Sequence, residues 1–281
     1  MEKKVMIVGS GLMGSGIAQV FALAGIPVIL TDRSEEDLTR GKNFITKSVQ
    51  SMLKKERYTK ADEQRINESI QYTTDLNAGK DADLVIEAVP EKLELKQQVF
   101  KQLDEIVQPN AILASNTSSL SIAAIGSVTK RPDKVIGMHF FSPVPIMKLL
   151  EFVTSIETSE ETLGRAVEYG KAINKETVTA QDYPGFIVNR ILLPMMNEAA
   201  FLVMEGTAPE EVDRGLLLGA NHPIGPLRLA DECGLDTTLY ALESLYEGFG
   251  DSKYRPCPLL KRMVEAGKLG RKSGKGFYDY N

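Results

Sequence analysis

Through the first two thirds of the chain, short apolar runs alternate with longer stretches whose apolar positions recur every three or four residues. Val5-Met6-Ile7-Val8 is wholly apolar and stops at Gly9, as a strand buried on both faces does. Ile17, Val20, Phe21 and Leu23-Ala24 then mark a helix that closes at Gly25. A second strand, 27–31, ends on Asp32. Residues 35–71 are charged and read as helical, with Phe44, Ile45, Val49, Met52 and Leu53 as the apolar stripe and the lysines as a solvated face. Further strands are predicted at Leu84-Val85-Ile86, Ala111-Ile112-Leu113-Ala114, Val135-Ile136-Gly137-Met138 and 149–153, with a helix over 91–107. Strands alternating with helices predict an α/β fold, a doubly wound and mostly parallel sheet.

The pattern changes at Asp182-Tyr183-Pro184-Gly185, where the Pro-Gly pair punctuates the chain. Beyond it the periodicity is helical almost to the end: 186–205, 209–219, 226–248 and 256–267. The expected division is a sheet domain over residues 1–184 and an all-α C-terminal domain over 185–281. Phe186, Ile187, Ile191, Leu192, Met195, Met196, Phe201 and Leu202 are too many apolar residues for one exposed helix face. Part of that surface is expected to pack against a second copy, giving a homodimer.

A chain of 281 residues agrees with two domains. The formal net charge of −5 disfavours a nucleic-acid partner. Cys233 and Cys257 lie in separate segments, so neither a disulfide framework nor a cysteine-rich metal site is expected, and no metal is assigned. No apolar run reaches the roughly 18 residues of a membrane span. Met1-Glu2-Lys3-Lys4 resembles the start of a signal peptide, but the apolar run behind it breaks on Gly9, Gly11, Gly14 and Gly16. It reads as a strand, and a cytoplasmic protein is expected.

The first chemical signal is Gly9-Ser10-Gly11-Leu12-Met13-Gly14, with a strand before it, a helix after it and Asp32 eighteen positions beyond Gly14. That context defines a dinucleotide-binding turn of the Rossmann type. Gly9 permits the tight turn, Gly11 lets a pyrophosphate approach the backbone, and Gly14 lets helix pack on strand. The helix N-terminus offers unpaired N–H groups and a partial positive charge to the phosphates. Asp32 would accept from the adenosine ribose hydroxyls and repel a 2′-phosphate, which favours NAD over NADP. Arg33 beside it can serve a 2′-phosphate and keeps an NADP-preferring reductase open.

Hydride transfer from a hydroxyl needs a group that takes the hydroxyl proton, and a histidine suits that near neutral pH. The chain has two. His139 closes the fifth predicted strand, at the sheet edge where ligands sit in such folds. His222, between glycine and proline, reads as a surface-loop residue. Glu151 interrupts the apolar run Leu149-Leu150-Glu151-Phe152-Val153, where a carboxylate is costly unless paired. It reads either as the partner of His139 or as one solvent-facing residue of an alternating strand. Ser115-Asn116-Thr117-Ser118-Ser119 follows the fourth strand and can cap the next helix or bind substrate oxygen and the nicotinamide amide.

Five segments together resemble one family: the glycine turn with Ser15-Gly16-Ile17-Ala18, Ser115 to Ser119, His139-Phe140-Phe141-Ser142-Pro143, Pro184-Gly185-Phe186-Ile187-Val188-Asn189-Arg190, and Gly274-Lys275-Gly276-Phe277-Tyr278. Over essentially its whole length the chain resembles the short-chain L-3-hydroxyacyl-CoA dehydrogenases, and among them the bacterial 3-hydroxybutyryl-CoA enzymes. The resemblance implies NAD as cofactor and an acyl-CoA substrate. It implies that His139 is the base, Glu151 its partner, and that Ser118 and Asn189 bind substrate oxygens, with the site in a cleft between domains. Ser10, Leu12, Met13, Glu91, Lys96, Ser118, Ser142 and, more weakly, Lys272 match cofactor-contacting positions. Ser142 stands where many members have asparagine. Ser48 and Lys55 match positions that contact CoA, and Lys54 or Lys47 can serve in place of Lys55. Other openings are a dehydrogenase of free hydroxy acids on the same scaffold and a non-catalytic NAD-sensing protein.

Overall fold

A computed structural model describes residues 3–281. Its contacts divide into two compact units, one ending at Asp182 and the other spanning Tyr183–Asn281.

The first unit begins with β1 (Val5–Val8), α1 (Leu12–Leu23) and β2 (Val28–Thr31). It continues with α2 (Glu35–Lys54), α3 (Lys60–Ser69), β3 (Ile70–Thr73), β4 (Leu84–Glu87), α4 (Leu93–Ile106) and β5 (Ile112–Ser115). It ends with α5 (Ile122–Gly126), β6 (Val135–Phe140), β7 (Leu149–Thr154), α6 (Glu160–Ala172) and β8 (Glu176–Gln181). The strands form one sheet in the order β3-β2-β1-β4-β5-β6-β7-β8. The first six are mutually parallel, in the Rossmann order. β7 runs antiparallel to β6, and β8 runs parallel to β7. This is the predicted doubly wound, mostly parallel sheet.

The central strands are apolar because both faces are covered. Every residue of β1, β2, β4 and β5 is buried. Ile7, Phe21, Leu30, Ile86, Ile136 and Phe152 belong to one core cluster. Each such side chain contributes roughly 1.5–3 kcal/mol by leaving water.

Three features differ from the sequence expectation. The stretch 35–71 is not one helical segment. It breaks after Lys54, restarts at a capping box built by Thr59 and Asp62, and ends in β3. β8 is a further strand at the sheet edge, mostly exposed, with Ala180 buried. In the second unit the expected helix 226–248 is two helices, because Gly234 adopts φ +95°.

The second unit comprises α7 (Val188–Met204), α8 (Pro209–Gly219), α9 (Pro226–Cys233), α10 (Leu235–Phe249) and α11 (Pro258–Glu265). Its core gathers Leu193, Met196, Leu235, Leu242, Leu245 and Leu260. Buried Asp231 accepts from the backbone N–H groups of Phe277 and Tyr278, which fastens the C-terminal Gly-Lys-Gly-Phe-Tyr segment onto α9. Among the described residues no helix is long and apolar enough to cross a membrane.

Candidate active site

Parallel strands bring their carboxyl ends to one edge, so residues far apart in sequence meet there. Gly9, at φ +102°, turns the chain out of β1. A Cβ on Gly14 would lie 1.8 Å from the Gly9 carbonyl oxygen, so only glycine lets α1 approach the turn this closely. Gly11 differs: a Cβ there meets nothing within 4 Å. The space over Gly11 is what a pyrophosphate needs. α1 has no side-chain cap and no acidic residue in its first turn, so its N–H groups and dipole remain available to an anion.

Asp32 stands where β2 ends. Its Oδ2 accepts from the backbone N and the Oγ of Ser10, at 2.6 and 2.7 Å, and its Oδ1 accepts from the Arg33 N–H at 2.8 Å. Ser10 therefore fixes Asp32 rather than facing outward, and is itself buried. A carboxylate has about four acceptor positions, so Asp32 keeps capacity for ribose hydroxyls. The residues present fit a bound dinucleotide.

Glu91 and Lys96 belong to a network at the ends of β4 and β5. Lys96 Nζ lies 2.7 Å from Glu87 Oε1 and 3.3 Å from Glu91 Oε2. Ser115 Oγ donates to Glu87 Oε2 at 2.6 Å. Burial pushes the Glu87 carboxyl above its ordinary value, while the Lys96 charge opposes the shift. Glu91 Oε1 accepts from Thr117 Oγ1 at 2.5 Å and from the Ser118 and Ser119 N–H groups at 2.9 and 3.2 Å. The Lys96 side chain is 1% exposed, so it meets the surface of the site through Glu91. Sequence reasoning passed over Glu87, although an acid ending an apolar strand was the signal that drew attention to Asp32.

The β6–β7 ladder places His139 opposite Glu151. Because β7 is antiparallel, its start meets the end of β6, which brings Glu151 to the carboxyl edge. His139 Nδ1 lies 2.7 Å from Glu151 Oε2, with both side chains buried. Glu151 is thus the partner of His139, not a solvent-facing residue. The His139 ring also packs against Phe141, centroids 4.4 Å apart. Asn116 Oδ1 accepts from the Phe140 N–H at 2.9 Å and ties the loop bearing Ser118 to the strand bearing His139. The role of Asn116 was not legible from its type.

A cavity of about 300 Å³ adjoins the turn. Leu12, Phe44, Lys47, Ser48, Ser142 and Val144 line it. It unites Ser48, a candidate CoA contact, with Leu12 and Ser142, candidate cofactor contacts. Met13 is half-buried in the first turn of α1, and Lys55 is exposed where α2 ends. In the second unit, Asn189 lies in the first turn of α7, and Lys272 Nζ donates to Asp236 Oδ2 at 2.7 Å. His222 follows α8 in a loop, as expected.

A glycine turn at the centre of this strand order, an acid closing β2 and a histidine–carboxylate pair at the same edge define an NAD-binding oxidoreductase. The description "3-hydroxyacyl-CoA dehydrogenase, NAD binding domain" matches residues 4–183, and "3-hydroxyacyl-CoA dehydrogenase, C-terminal domain" matches residues 185–280. The chain belongs to the 3-hydroxyacyl-CoA dehydrogenase family, and NAD is its cofactor. It is 50% identical over 278 residues to a probable 3-hydroxybutyryl-CoA dehydrogenase of Deinococcus radiodurans, covering 99% of this chain and 100% of that one. It is 48% identical over 279 residues to the 3-hydroxybutyryl-CoA dehydrogenase of Clostridioides difficile, covering 99% of each. The crystal structure of (S)-3-hydroxybutyryl-CoA dehydrogenase PaaH1 from Ralstonia eutropha superposes with a TM-score of 0.96 at 46% identity, covering all of both chains.

Proposed function

We propose that this protein interconverts (S)-3-hydroxybutyryl-CoA and acetoacetyl-CoA, with His139 and Glu151 as the acid/base pair. The observation that carries the mechanism is the 2.7 Å contact between His139 Nδ1 and Glu151 Oε2. A carboxylate only accepts, so Nδ1 carries the proton and the lone pair resides on Nε2. Nε2 then takes the proton of the substrate 3-hydroxyl. Glu151 stabilises the imidazolium so formed and holds the ring in one orientation, as the acid of a catalytic triad does. NAD held by the glycine turn and Asp32 would supply the hydride acceptor for C3. In reduction, the imidazolium returns the proton to the carbonyl oxygen.

Gly9, Gly11 and Gly14 hold the pyrophosphate, and Asp32 the adenosine ribose. Glu91 orients the backbone at Ser118, which holds a substrate oxygen beside the nicotinamide. Asn189 supplies a second substrate hydrogen bond. Ser48 binds CoA, with Lys55 as the cation for its phosphate groups. Ile191, Leu218 and Tyr240 of the second unit are at least half exposed, which supports a homodimer through that unit. A cytoplasmic location belongs to the same proposal.

Rates of NADH oxidation with acetoacetyl-CoA and with free acetoacetate test the substrate class. Turnover that depends on the CoA ester is expected. Equal rates with the free acid would overturn the assignment in favour of a hydroxy-acid dehydrogenase.

A further inference from the structure

Asp32 is not the only carboxylate at the ribose end of the cofactor site. α2 begins two residues beyond Arg33, and its first two turns pack on the glycine turn. A Cβ on Gly41 would come within 2.7 Å of the Ser10 Cβ and carbonyl oxygen. Ser10 Oγ donates both to Asp32 Oδ2 at 2.7 Å and to the backbone carbonyl of Asp37 at 2.9 Å. Arg33 joins the same two residues: its backbone N–H donates to Asp32, and its Nε donates to Asp37 Oδ2 at 3.0 Å. Arg40, one turn along α2, pairs with Asp37 Oδ1. Ser34 Oγ donates to Asp37 Oδ2 at 2.7 Å and accepts from the Asp37 N–H. The Asp37 side chain is 12% exposed, against 86% for Arg33 and 61% for Arg40.

Arg33 therefore stands just past the end of β2, where a cofactor 2′-phosphate projects in this fold and where an arginine commonly receives it, and Arg40 lies beyond it on α2. Both belong to one carboxylate. Ion pairs on a wet surface are weak, so tethering alone does not disarm a guanidinium. The charge of the carboxylate does. A guanidinium that swings toward a phosphate leaves Asp37 facing that phosphate, and like charges at such range repel. Asp32 and Asp37 together cancel Arg33 and Arg40, so a dianionic 2′-phosphate meets no net positive charge. A neutral 2′-hydroxyl is indifferent to that balance.

We propose that Asp37 is a second specificity-determining residue, which enforces NAD by neutralising Arg33 and Arg40. Asp37→Asn keeps the size and the contact with Ser34 and removes the charge. The direct readout is binding of NADPH and NADH to the full chain, followed by nucleotide fluorescence without acyl-CoA. The affinity for NADPH is expected to rise about tenfold, the scale of one hydrogen bond to a charged group. That for NADH should change less than about twofold on the same argument, because its ribose carries no phosphate. Adding Arg33→Ala and Arg40→Ala to Asp37→Asn should abolish the gain, returning the ratio to its original value or below it, because Asp32 then stands alone. In the original background the same arginine changes leave Asp32 and Asp37 without counter-charges, so the affinity for NADPH should fall and that for NADH should change less than about twofold. An unchanged NADPH-to-NADH ratio in Asp37→Asn overturns the proposal, as does equal weakening of both nucleotides. So does a shifted ratio that survives loss of the arginines. If Asp37→Asn does not fold, Asp37→Ser is measured in its place, and an unchanged NADPH-to-NADH ratio there overturns the proposal.

Discussion

His139 and Glu151 face each other across the antiparallel β6–β7 pairing, 2.7 Å apart at Nδ1 and Oε2. Replacing Glu151 by Gln keeps the shape and removes the charge that favours the imidazolium. The kcat/KM for oxidation should fall across the pH range, because the imidazolium formed at the base loses the carboxylate that stabilises it. Initial rates over a pH series check this. A profile that coincides with the original would separate Glu151 from the proton transfer.

Gly11 and Gly14 should respond differently to alanine. Gly11→Ala meets no protein atom, so Tm should be unchanged while NAD affinity falls, because the added methyl occupies the space of the pyrophosphate. Gly14→Ala places a carbon 1.8 Å from the Gly9 oxygen and should lower Tm and NAD affinity together. Calorimetric melting with and without NAD distinguishes the two. Equal melting losses would mean that both glycines act only in packing.

Lys96→Met should be severely destabilising. It leaves Glu87 buried without a counter-charge, a change that costs about 3–5 kcal/mol. Adding Glu87→Gln should restore much of the loss, since a neutral amide is cheaper to bury than an unpaired carboxylate. Urea unfolding midpoints of the single and double variants measure this. A double variant no more stable than Lys96→Met would contradict the pairing.

Lys175 is buried, and its Nζ donates to the carbonyls of Val144 and Met147 at 2.6 Å each, bracing the loop that carries Ser142. Burial holds its ammonium below the ordinary lysine value of 10.5. The unfolded chain therefore binds that proton more tightly. Between the lowered folded pKa and 10.5, stability should rise with pH; the contribution is complete above 10.5 and lost as pH falls through the folded value. The urea midpoint measured against Lys175→Met through that window should climb with pH. A constant difference between the two proteins would exclude the linkage.

The glycine turn, Asp32 and His139 were legible because each depends on a local pattern: a strand, a sharp turn, an apolar run ended by one polar group. Glu151 was legible as a costly charge in a strand, but only the antiparallel register showed what it faces. β3 and β8 escaped notice because edge strands are partly or mostly solvated and carry no apolar run; Gln71 and Tyr72 read as the tail of a helix. The break at Gly234 was hidden because its φ of +95° leaves no mark in the helical periodicity on either side. The Glu87–Lys96–Glu91 network and the arginines held by Asp37 escaped for another reason. A charged side chain looks solvated until the strand, turn or helix that carries its partner is in place.

The central claim is that His139 moves the proton in an NAD-dependent interconversion of 3-hydroxyacyl-CoA and 3-oxoacyl-CoA. The direct measurement is acetoacetyl-CoA-dependent oxidation of NADH by the original protein and by His139→Ala, with NADH affinity measured alongside. Turnover in the original protein is expected, and a fall of ~10²–10⁴-fold in the variant with NADH affinity nearly unchanged, the usual contribution of a general acid/base. Undiminished turnover in His139→Ala, or no acetoacetyl-CoA-dependent turnover in the original protein, would contradict it.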